Sequence, residues 1–127
     1  MKKQKYVLIF FSLLFLIFNS ACVLDIPDYA HNVRYVRKEA NSSYAVLCWD
    51  SLDGADEYLI YRKNLKRDDS IEELERVTKC TYGLDDNNTL YANEDYAYAV
   101  EASVSGNKTY CSKFATLEKD ITYEDIK

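Results

Sequence analysis

Nine consecutive residues, Tyr96 to Val104 (YAYAVEASV), alternate with a period of two, and that alternation constrains the fold more than any other feature of the chain. Side chains two apart on an extended backbone share one face of a sheet. Tyr96, Tyr98, Val100, Ala102 and Val104 therefore fall on one face, and Ala97, Ala99, Glu101 and Ser103 on the other. The same period returns at Tyr44–Trp49 (YAVLCW) and Tyr58–Arg62 (YLIYR). Val33–Lys38 reads as a first strand, Glu75–Tyr82 as one or two short ones, and Thr109–Leu117 as the last. The 12 tyrosines and recurring Val, Ile and Leu suit half-buried pleated surfaces. Turn residues punctuate the runs at Asn41–Ser43, Asp53–Gly54, Asp85–Asn88 and Gly106–Asn107. Only Ser70–Val77 (SIEELERV) spaces its apolar positions, 71, 74 and 77, as a short helical turn would, with Ser70 as its cap. Short strands at this spacing predict an all-β, antiparallel two-sheet sandwich. The 127 residues suffice for one such domain.

The amino-terminal segment is not part of that pattern. Lys2, Lys3 and Lys5 precede a thirteen-residue run, Tyr6 to Phe18, broken only by Ser12. Crossing a bilayer takes about 20 apolar residues, whereas this length suits the apolar part of a signal peptide. Asn19, Ser20 and Ala21 then lead into Cys22. Small residues before a cysteine, directly after an apolar run, resemble the lipobox of bacterial lipoproteins, although Asn19 stands where that family usually has Leu, Val or Ile. The resemblance implies cleavage between Ala21 and Cys22, with a diacylglyceryl group on the Cys22 sulfur. An ordinary secretory signal cut near Ala21 and an uncleaved anchor are the alternatives. Residues 1–21 are thus expected to be a signal peptide and 22–32 a lipidated tether. Losing three lysines and no acids takes the formal charge from −5 to −8. Such a domain is repelled by anionic headgroups and stands off the bilayer.

Within the mature chain the residues carry a second resemblance. Leu47, Trp49, the stretch Gly54–Tyr58, Ile60, Tyr61 and Arg62 look like the second and third strands of a fibronectin type III domain. Leu90, with Tyr96 six residues later and then Tyr98, Val100 and Ala102, looks like its sixth. The likeness spans residues 33–117, leaving 118–127 as a carboxy-terminal tail. It implies an immunoglobulin-like sandwich that buries Trp49 between the sheets, with Tyr58 and Ile60 meeting it from the opposite side. It also implies that Tyr96 is the tyrosine corner, whose phenol pins a crossing loop.

If Cys22 carries lipid, Cys48, Cys80 and Cys111 remain, and an odd number cannot all pair within one chain. Export permits disulfides. In this family's strand arrangement Cys80 falls near a neighbour of the second strand, which makes Cys48–Cys80 the preferred pair. The alternative is three reduced thiols packed as small apolar groups. A zinc site is not expected: there is no C-x-x-C and the single histidine, His31, lies in the tether.

Other chemistry finds little purchase. His31 is the only histidine available to serve a nucleophile. Asp50, Asp53, Asp56 and Glu57 lack the ligand alternation of a calcium loop and read as solvated turn carboxylates. The acidic balance argues against nucleic acid. No cofactor and no metal are expected. One surface stands out: with Tyr58 and Ile60 inward, Leu59 and Tyr61 point outward beside a floor of Ala97 and Ala99. That face is a candidate for contact with a protein partner, and changing both Leu59 and Tyr61 to serine should leave the fold intact. By analogy with the resembled families, the chain is expected to be a non-enzymatic binding or adhesion module. It would be held by lipid in the bacterial cell envelope, at the outer membrane or cell surface rather than the inner membrane. The alternative is a structural or assembly subunit of a larger envelope complex, which co-purification from native membrane would distinguish.

Overall fold

A computed structural model describes residues 32–85, 87–105 and 108–127. Its longest strands are β3 (Ala55–Asn64) and β7 (Tyr96–Val104), which run antiparallel with Ile60 opposite Val100 and Arg62 opposite Tyr98. β4 (Ile71–Val77) flanks β3 and β8 (Lys108–Cys111) flanks β7, completing a sheet ordered β4-β3-β7-β8. The facing sheet is ordered β5-β2-β1-β9. It contains β1 (Arg34–Arg37), β2 (Tyr44–Cys48), β5 (Thr81–Tyr82) and β9 (Leu117–Thr122). A further short strand, β6 (Leu90–Tyr91), also pairs with β2. All pairings between these strands are antiparallel except β1 with β9. The expected two-sheet sandwich is therefore the observed architecture.

Its core follows from the alternation. Tyr35 from β1, Ala45 and Leu47 from β2 and Trp49 meet Tyr58, Ile60, Tyr98, Val100 and Ala102 from the other sheet. Trp49 is 6% exposed, and its indole packs edge-on against Tyr58 at 5.4 Å between ring centroids. Burying a side chain of this size stabilises by several kcal/mol. Two glycines close the framework at positive φ, a backbone conformation that L side chains rarely adopt. Gly83 has φ +101°, and a Cβ there would lie 2.9 Å from the Ala45 carbonyl oxygen. That approach lets the chain leave β5 and return to β2 as β6. Gly54, at φ +81°, turns the chain into β3.

Three segments differ from expectation. Ser70–Val77 is not a helical turn; Ile71–Val77 is an edge strand. Its ladder to β3 slips between Ile60 and Tyr61, where the partners jump from Glu75 to Glu73. That bulge reverses the facing of the strand. Ile71 joins an outer cluster, whereas Leu74 and Val77 pack on the core. Two periods of two joined out of phase mimic a spacing of three. Second, residues beyond 117 belong to the domain: β9 supplies its edge strand, and α1 (Tyr123–Ile126) ends it behind a capping box between Thr122 and Asp125. Third, the phenol that pins the loop before β7 is not that of Tyr96. Tyr35 Oη donates to the Tyr91 and Asn93 carbonyl oxygens at 2.5 and 3.1 Å and accepts the Asn93 amide at 2.9 Å. Tyr96 instead lies beneath the Arg62 guanidinium, 4.6 Å from its ring centroid.

Candidate binding surface

The outward face of the β3–β7 pair is not a free surface. Leu59, Tyr61, Ala97 and Ala99 are at most 5% exposed, so the expected contact site is a second, smaller core. Leu59, Tyr61 and Ala99 form a cluster against which Ile71 and Phe114 pack. The cover is placed by the chain after β8. Ser112 and Val100 exchange hydrogen bonds at 2.9 Å, and Ala115 and Tyr98 exchange backbone bonds at 2.7 and 3.0 Å. Phe114 is thereby held against the alanine floor. The Tyr61 hydroxyl donates to the Glu101 carboxylate beside it. Burial, reinforced by that carboxylate, holds the Tyr61 phenol far above its ordinary ionisation range.

Cys48 and Cys80 are both free. Register explains why they do not meet. Cys48 lies opposite Thr81, so Cys80 is one residue further along and its side chain turns to the other face. Cys80 packs against the core, where it neighbours the Tyr58 hydroxyl. Cys48 shares its face with Arg34 and Glu118, and burial pushes its thiol pKa up. Cys111 is disulfide-bonded and fully buried. Cys22 and His31 lie outside the described residues, as do the signal segment, the tether up to residue 31, Asp86 and the Gly106–Asn107 turn.

The turn acids are where solvated carboxylates belong. Asp50, Asp53 and Asp56 are exposed, and Glu57 pairs with Arg76 at 2.9 Å. Among the described residues no cluster of three or more His, Cys, Asp or Glu side chains is placed to hold a metal ion. No described helix is long and apolar enough to cross a membrane.

A different surface emerges at one end of the sandwich. Among the described residues the exposed large hydrophobic side chains are Tyr44, Leu65 and Tyr91. Tyr44 and Tyr91 are cross-strand partners, with ring centroids 5.9 Å apart and planes tilted by 34°. The loop between β6 and β7 ties all three together: the Ala92 amide donates to the Ser43 carbonyl, and the Leu65 amide to the Asp95 carbonyl, each at 2.8 Å. The chain enters β1 at the opposite end, where Arg34 pairs with Cys48. Beside Tyr91 opens a cavity lined also by Arg62, Thr89, Asn93, Tyr96 and Tyr98. Arg62 is braced there by Glu72, which accepts from its Nε at 2.6 Å. Burial raises the Tyr98 phenol well above its ordinary range, so it stays a neutral donor. Sequence alone placed Tyr44 in a strand and Tyr91 in none; that they face water depends on which strands cover β2 and β6.

No protein-family model matches the chain, and no curated protein is similar enough to it to count as a match.

Proposed function

We propose that the protein is a non-enzymatic binding module of the bacterial cell envelope, exported by an amino-terminal signal peptide. The observation that carries this reading is the order of residues at the amino terminus: three lysines, an apolar run broken only by Ser12 and too short to span, then small residues. A diacylglyceryl group at Cys22 is not part of this reading: Cys111 is disulfide-bonded, Cys48 and Cys80 are free, and Cys22 is the remaining cysteine of the chain. The fold supports a role in contact rather than in chemistry. Its interior is filled by aliphatic and aromatic side chains, and the exposed hydrophobics gather at the end away from where the chain enters β1. A partner would meet that end first.

Mass spectrometry of the amino terminus of the protein purified from cell envelopes tests the export. The expected product has lost the leader, begins at or near Cys22 and carries no acyl chain. A retained leader, or a diacylglyceryl thioether on Cys22, overturns it.

A further inference from the structure

We propose that the Tyr44–Tyr91 pair and the cavity beside it form a site for an uncharged oligosaccharide. This rests on the binding-module reading and extends it by naming the ligand class. Area argues for a small ligand. Tyr44 and Tyr91 are 46% and 69% exposed, together on the order of 200–300 Å² of aromatic surface. A stable protein interface takes about 800 Å² from each partner. The pair is matched to one or two sugar rings. The face of a phenol ring is electrically negative, and the axial C–H groups of a pyranose carry partial positive charge, so sugar faces stack on such rings. The two rings lie 5.9 Å apart on one face of the sheet, their planes tilted by 34°, within reach of a single short saccharide.

The polar groups around it suit hydroxyls rather than ions. Arg62 is the only charged residue lining the cavity among those described, and Glu72 already matches it. An anionic ligand would have to displace that carboxylate; a sugar hydroxyl needs only the N–H groups left over. Asn93 Oδ1 accepts the Asp95 amide at 2.7 Å, which leaves the Asn93 amide nitrogen as a donor. Tyr96 and Tyr98 add phenol hydroxyls that both give and accept hydrogen bonds. The site is also held in place before any ligand arrives. The Tyr35 hydroxyl clamps the backbone at Tyr91 and Asn93, so little is lost in ordering it on binding.

The test uses the full chain purified from cell envelopes without any sugar-based detergent. Cellotriose, chitotriose and maltotriose are offered in turn, read by saturation-transfer NMR and titration calorimetry. At least one should receive saturation, strongest at its axial C–H protons. Tyr44→Ala and Tyr91→Ala should each weaken that binding about two- to tenfold, and the double variant should abolish it while the circular dichroism of the fold is unchanged. Absence of transfer to all three sugars, or binding untouched by the double variant, overturns the proposal. A protein that takes up none of the sugars yet co-purifies with a protein partner from native membrane rejects the saccharide and leaves the binding-module reading standing.

Discussion

The two faces of the β4-β3-β7-β8 sheet are both buried, but they are covered in different ways. The inner face is closed by a whole second sheet, and its large side chains, Tyr58, Ile60, Tyr98 and Val100, interdigitate with Trp49, Leu47 and Tyr35. The outer face holds a smaller cluster, Leu59, Tyr61 and Ala99, with Ile71 from an edge strand and Phe114 from the chain after β8 packed on it. Topology guarantees the first cover. The second depends on a bulge in β4 and on Ser112 and Ala115 keeping the chain against β7. Burial of a strand face is thus a property of what crosses it, not of the strand's own pattern.

That contrast can be broken by substitution. Changing Leu59 and Tyr61 together to serine strips the outer cluster and leaves polar groups in its place. The expected loss is about 5 kcal/mol or more, enough to prevent folding in a domain of ordinary stability. Chemical denaturation or a circular dichroism melt reads it, and a fully stable double variant would show that the outer face contributes nothing. On the inner face, Trp49→Ala should cost about 3–5 kcal/mol by the same measurement.

Alkali acts on both faces. Burial raises the phenols of Tyr35, Tyr58 and Tyr98 on the inner side, and burial with Glu101 raises that of Tyr61 on the outer. An acid whose folded pKa is raised contributes stability that is complete below the unfolded value, about 10 for tyrosine, and is lost as pH rises beyond it. Denaturation midpoints should therefore fall steadily above about pH 10. Tyr61→Phe should cost about 1 kcal/mol at neutral pH and make the alkaline fall shallower. The smallest effect belongs to neither face. The hydrogen bond from Arg34 holds the Glu118 carboxyl below its usual range. The stability it supplies is present above the unfolded carboxylate pKa, about 4.3, and lost as pH falls through the lower folded value. The pair is partly exposed, so Glu118→Gln should cost a few tenths of a kcal/mol, about the resolution of a careful denaturation series.

The parts legible in the sequence were those whose facing is decided locally. β7 falls where its alternation places it, and Trp49, Tyr58 and Ile60 bury as the period requires. What was not legible turns on one-residue slips or on distant cover. The bulge in β4 disguised a strand as a helical turn. A single step of register separates Cys80 from the position opposite Cys48. The burial of Leu59 and Tyr61 is shared with residues 10 to 55 positions away in the chain. The paired tyrosines were visible as letters, but their exposure follows from β6 returning to β2, which the tight approach at Gly83 permits.

The placement of β1 has a mechanical consequence. It lies between β2, running antiparallel, and β9, running parallel, and the chain enters it directly from the amino-terminal side. Tension arriving through that segment is directed along the axis of β1. Its hydrogen bonds to both neighbours are then loaded sideways and together, in shear, instead of peeling apart one after another. A domain held from this point resists pulling through two ladders at once.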